Sequence, residues 1–222
     1  LMLPKAIYAQ GSNEVKMKVT NNNGEIINVV SQTYDLNLLS KLEIKQIIDS
    51  NNLKEGDTLT IHQISDRASS NYQNISLRDI NKFNNINLNA LGGYKYKTSK
   101  SSGSEISLND FFLISAAKGQ TVKLNSKYKK TVTTNIIAGN ASIQGDIGGS
   151  LTAEYETSIS FKGPPEKSSS NSREYRVKFY GKKVSFSQYK VNKSNNKVVD
   201  SKSGKALAPT RFAMYSIDRK IY

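Results

Sequence analysis

Glu154 and Glu156 stand two residues apart in an alternating stretch, which puts both carboxylates on one face of a strand. Paired carboxylates can serve acid–base or group-transfer chemistry. Here the Ser-x-Ser of 158–160 follows the pair, and lysines are expected opposite it, so the two charges read as neutralised. His62 is the one histidine of the chain. Alternation sets it opposite in phase to Ile61, as a partly exposed strand side chain. A Ser/His/Asp triad would need His62, yet no nucleophile elbow accompanies it. With one histidine and no cysteine, a His/Cys metal cluster is impossible. There is no spaced Asp/Asn loop for calcium, no Walker loop and no dinucleotide fingerprint. The expectation is a non-enzyme with no catalytic residue, no metal and no cofactor.

Binding chemistry is better represented. Between Arg173 and Lys190, Tyr175, Phe179, Tyr180, Phe186 and Tyr189 interleave with Arg176, Lys178, Lys182, Lys183 and Lys190. Rings among bases can hold single-stranded nucleic acid. Alternation gives another account, with rings inward and charges outward. The chain carries a formal charge of +14, and only six of its 32 basic residues are arginine. Lysine is a hydrated point charge, whereas arginine is the residue of planar phosphate and base recognition. The excess therefore points to an anionic cell-wall polymer or lipid surface, not to nucleic acid. Arg176, Lys178, Lys182 and Lys183 are the candidate contact residues of this segment.

The stretch to be positioned is residues 120–161. From Ala141 to Phe161 odd positions are apolar, small or β-forming, and even positions are polar or glycine. Before it Val122, Leu124, Tyr128, Val132, Thr134, Ile136 and Ala138 follow the opposite phase. A hairpin turn at Gly139-Asn140 explains the flip. It sets Ile136 beside Ile143, Val132 beside Ile147, Tyr128 beside Leu151, Leu124 beside Tyr155 and Lys123 beside Glu156. A rival turn lies at 147–149, and a bulge at Gly139 would also flip the phase. The tip, 131–138 with 141–149, has no lysine or arginine. Val132, Ile136, Ile143 and Ile147 line one of its faces; Thr131, Thr133, Asn135, Gln144 and Asp146 line the other. That division suits a long hairpin on a soluble core, and equally a strand pair with a lipid face and a lumen face.

The remaining chain supplies the frame. Residues 1–9 read as a signal-peptide remnant ending at Ala9, which implies export. A small α+β lobe is expected over 10–66. It has a hairpin over 14–30 and a capping box at Ser40–Glu43. That box opens a helix with Leu42, Ile44, Ile47 and Ile48 on one side, and a strand follows at 58–64. Residues 67–109 form a polar connecting region, with a turn or helix at 75–80, a strand at 88–96 and a loop at 98–104. An antiparallel β region over 110–222 follows. It has a strand at 110–117, a loop at 162–172, strands from 174, turns at 194–196 and 201–205, and a strand at 211–217. No run of about 20 apolar residues occurs. The fold class is mainly β: antiparallel sheets or a sandwich, with one long central hairpin and a short N-terminal helix.

The segment FKGPPEKSSSNSREYRVKFYGKKVSFSQYKV (161–191), with APTRFAMYSIDRKI (208–221), resembles uncharacterised secreted proteins of Gram-positive bacteria. That resemblance implies export and a β-rich fold, and brings no site residues. The Ser/Thr and apolar alternation of the hairpin resembles the insertion hairpin of aerolysin-type β-pore-forming toxins; the absence of tryptophan departs from them. The expected protein is secreted and non-enzymatic, and engages an anionic cell-envelope or membrane surface. The alternative is a pore-forming protein that inserts hairpin 131–149 as a homo-oligomer.

Overall fold

The computed structural model describes residues 14–32, 39–66 and 93–221. Its frame is one sheet with the strand order β1-β2-β3-β11-β10-β4. The strands are β1 (Val15–Thr20), β2 (Ile26–Ser31), β3 (Thr58–Asp66), β4 (Tyr94–Ala117), β10 (Ser172–Asn192) and β11 (Val198–Arg219). Among the described strands only β2 and β3 run parallel. The described residues are mainly β with one α-helix, α1 (Lys41–Ser50), and β10 and β11 form a long hairpin.

The N-terminal hairpin and the capped helix form as expected, with Leu42 as the exception. β1 and β2 pair from Val15 opposite Ser31 to Thr20 opposite Ile26. Ser40 caps α1, and Glu43 returns the bond to the Ser40 amide at 2.7 Å. Ile44, Ile47 and Ile48 are buried, but Leu42 is 65% exposed. Two residues on a helix subtend about 200°, so Leu42 lies off the stripe that starts at Ile44.

Three expectations along the long strands are corrected. Residues 98–104, read as a loop, lie inside β4, where Thr98 faces Gln188 and Ser101 faces Ser185. The turn read at 201–205 is continuous β11, with Ser203 opposite Ser187. Serine and glycine favour turns in isolation, but the continuous ladder with β10 overrides local preference in both segments. β4 also runs unbroken across the boundary between 109 and 110, and β3 pairs with β11, so the N-terminal lobe shares its sheet with the β region. The remnant at 1–9, the element at 75–80 and the first part of the strand at 88–96 lie outside the described residues.

The sheet is covered on both faces. On one, α1 packs Ile44, Ile47 and Ile48 against Leu59, Ile61, Tyr180, Tyr215 and Ile217. On the other, Val177, Phe179, Phe212 and Met214 meet Ala153, Tyr155 and Phe161 from the segment that joins β4 to β10. The alternation of β10 sorts these layers, since Tyr175, Val177 and Phe179 face one way and Tyr180 the other.

Candidate functional site

The joining segment is a two-stranded ribbon. β5 (Thr121–Lys123) pairs with β9 (Ser160–Lys162), and β6 (Tyr128–Thr133) pairs with β8 (Ser150–Tyr155). Both ladders keep one register, from Thr121 opposite Lys162 to Thr133 opposite Ser150. The inward face carries Val122, Leu124, Tyr128, Val132, Leu151, Ala153, Tyr155 and Phe161. The outward face carries Thr131 and Thr152, whose hydroxyls lie 2.6 Å apart, and Lys127, which ion-pairs with Glu154 and Glu156. Lys127 thus bridges the Glu154/Glu156 pair and offsets one of its two charges, and Lys129 stands opposite Glu154 across the ladder.

The expected turn at Gly139-Asn140 is overturned. Val132 stands opposite Leu151, not Ile147, a displacement of four residues. An even displacement leaves every side chain on its own face, so the faces survive although the partners change. Gly139 does take a positive φ of 79°, but at the end of another strand, β7 (Asn135–Gly139). β7 leaves the ribbon and pairs with β11, with Gly139 opposite Gly204. A Cβ on Gly139 would lie 2.2 Å from the Ser203 carbonyl oxygen, so close backbone approach is what requires glycine there. Residues 141–149, read as strand, are a loop with a single 3-10 turn at Gln144–Asp146.

That loop is latched onto the far part of the sheet. Gln188 is 2% exposed. Its Oε1 accepts from the amides of Ser142 (2.7 Å) and Ile143 (3.2 Å), and its Nε2 donates to the Ile143 carbonyl at 2.6 Å. Lys100 donates to the carbonyls of Asp146 and Ile147 at 3.2 and 3.4 Å. Thr98 donates to the Asp146 carboxylate at 3.2 Å. The loop closes where Thr134 donates through its amide and its hydroxyl to the Gly149 carbonyl. Ile147 is buried with Val184, Phe186, Ala206 and Ala208, and Ile136 packs against that group. Val132 is half-buried in the ribbon core, and Ile143 is half-buried beside Gln188. Pattern reading missed Gln188, Thr98 and Lys100; a buried polar clamp leaves no periodic trace.

The ribbon is not perfectly satisfied where it lies. The Tyr128 hydroxyl is buried without a hydrogen-bond partner, and burial pushes it up to about 12. An unsatisfied buried hydroxyl costs about 1–3 kcal/mol, a standing penalty on the docked arrangement.

Of the basic candidates, Arg176 and Lys178 are held inside the fold. The Arg176 Nε lies 3.0 Å from Asp110 Oδ1, and Arg176 also meets Glu174. Lys178 is 3% exposed and its Nζ lies 3.6 Å from Asp110. Burial pulls the lysine below its usual value despite that neighbour. Tyr215 donates to the same carboxylate at 2.6 Å. In this arrangement Lys178 is buried, and Arg176 is half-buried with its charge paired. Lys183 is exposed and Lys182 half-exposed.

His62 sits in a hydrogen-bonded line of side chains. Its Nε2 lies 2.7 Å from Ser216 Oγ and its Nδ1 2.8 Å from Gln32 Oε1, a Ser–His–Gln line. Ser216, however, has no exposed surface, so no substrate reaches its hydroxyl. The ring stacks on Tyr175 at 5.3 Å. Burial, and then the Arg173 charge, pull the imidazole down to about 3. A histidine depressed in the fold is neutral there but protonates in the unfolded chain near 6.5. Its stabilising contribution is therefore full above about 6.5 and declines as pH falls toward about 3. His62→Gln should flatten the stability profile between those values in urea melts; an unchanged acid slope would exclude His62 as its source.

No known protein family, curated protein or solved structure matches this chain.

Proposed function

We propose that this is a secreted, non-enzymatic protein that engages an anionic cell-envelope or membrane surface, and that the ribbon is its working part, inserting into lipid in the manner of a β-pore-forming protein. One observation carries the reading. The ribbon links β4 to β10, which are already paired neighbours, keeps one register, and buries one apolar face only against the sheet. It could therefore leave by giving up the pairing of β7 with β11, while the other six strands of the sheet keep their partners.

Carrying its register through the loop would set Ile136 opposite Ile147. Val132, Ile136, Ile143 and Ile147 would then share a lipid face, with Thr131, Gln144 and Asp146 toward water. Two strands cannot close a barrel, so insertion requires a homo-oligomer.

A second reading stops at the surface. The lysine excess would hold the protein on an anionic wall polymer with the ribbon still docked. Dye release from anionic vesicles, read beside retention on purified cell wall, separates the two. Retention should fade between about 0.1 M and 1 M salt, as the screening length falls from ~10 Å to ~3 Å. No release at any lipid composition or pH would end the insertion reading. Retention unchanged at 1 M salt would end the electrostatic account of either.

A further inference from the structure

Charge is segregated along the long strands. At the end where β4 and β10 meet the ribbon, the arginines are paired. Arg173 forks onto Asp218, Arg176 meets Asp110 and Glu174, and Arg211 meets Glu43 and Glu105. The other end is different. Residues 93–103 hold three lysines, and residues 182–205 hold seven, with Asp200 as the one carboxylate in both spans. Lys95 bonds the neutral side chain of Asn196, and Lys190 lies 4.3 Å from the centre of the Tyr94 ring. Neither partner cancels a charge.

The same end exposes apolar surface. Val198 and Val199, just past the β10–β11 turn, are 58% and 51% exposed, and Tyr189 is 36% exposed. Half-exposed valines gain nothing on a hydrated polymer. They gain free energy in the headgroup–acyl boundary of a bilayer, where lysines keep their charges among phosphates and tyrosine sits at the interface.

We infer that the end of the sheet where β10 turns into β11 is a docking surface for anionic lipid bilayers, with Val198 and Val199 as its apolar wedge and the surrounding lysines as its headgroup contacts. This deepens the proposed function and rests on its membrane part. The loop 140–147 latches to Gln188 and Lys100 in the same part of the sheet, so docking there brings the tip of the ribbon toward the bilayer.

The chain contains no tryptophan, so one introduced tryptophan reports alone. Val199→Trp is placed in the wedge, and Ile26→Trp on β2, 49% exposed in the wild type, is the control. Each is mixed with phosphatidylcholine vesicles with and without one quarter phosphatidylglycerol, bearing brominated acyl chains. Val199→Trp should shift blue and lose at least half its emission with the anionic vesicles, while Ile26→Trp stays unchanged. Lys95→Gln with Lys197→Gln should weaken vesicle partition about 25-fold, at about fivefold per lysine. Unchanged thermal melts show that the variants fold.

If the wild type binds vesicles and only Ile26→Trp responds, or neither probe does, this docking surface is wrong and the insertion reading stands. Binding to wall polymer but not to anionic vesicles overturns the lipid assignment. A wild type that binds neither overturns the proposed function as well.

Discussion

Oxidising a variant that carries Ala138→Cys and Lys205→Cys should abolish dye release, and reduction should restore it. These positions are Cα partners across β7 and β11. Cross-strand partners lie at the ~4.5–5.5 Å a disulfide spans. The chain has no other cysteine to compete. The bond would pin the ribbon tip to β11 and forbid its departure. A second pair, Thr131→Cys with Thr152→Cys, joins the two ribbon arms at positions already opposite each other. That bond should leave release intact, because the arms keep their register as they move. Full release from the completely oxidised 138–205 variant would sink the insertion reading; loss of release in the 131–152 variant would show that the arms must re-register.

Asp110→Ala should cost roughly 3 kcal/mol or more of folding stability, read as a lowered urea midpoint. Asp110 accepts from Arg176 and Tyr215 and faces the buried ammonium of Lys178. Its removal leaves the buried Lys178 ammonium without a carboxylate and the Tyr215 hydroxyl without its acceptor, while Arg176 keeps only Glu174. Tyr215→Phe, which deletes the hydroxyl's two hydrogen bonds, to Asp110 and from Asn51, and keeps the charges, should cost only about 1–2 kcal/mol. A loss from Asp110→Ala no larger than that of Tyr215→Phe would mean that the charges find water or other partners.

Periodicity was most legible where one face is buried against a neighbour. The hairpin of β1 and β2, the cap of α1 and the faces of the ribbon were all readable, because each depends on local chemistry or on side-chain parity. The partners within the ribbon were not. Shifting the pairing by four residues preserves every face, so the alternation could not choose between Ile147 and Leu151 as the neighbour of Val132. The tip was decided by tertiary contacts that alternation does not encode: the fit of Gly139 to Gly204, and the grip of Gln188 on Ser142 and Ile143. The basic segment misled for a related reason. Its pattern set Arg176 and Lys178 away from the aromatic face, but could not reveal that α1 and Asp110 cover that side.

β11 has a further consequence, for how the chain is made. It lies between β3 and β10 and also holds β7, yet it follows every one of them in the sequence. During synthesis the α1 unit can form early, and β4 can find β10 once residue 192 has emerged. Neither can join the other until the strand that lies between them has been made. The growing chain therefore carries the open edge of β3 from residue 66 until β11 emerges, and a second open edge on β10 only from residue 192, and long-range pairing of this kind is slow to form. For a chain exported as proposed, such a delay keeps the parts unlocked during passage, because their joining waits for β11.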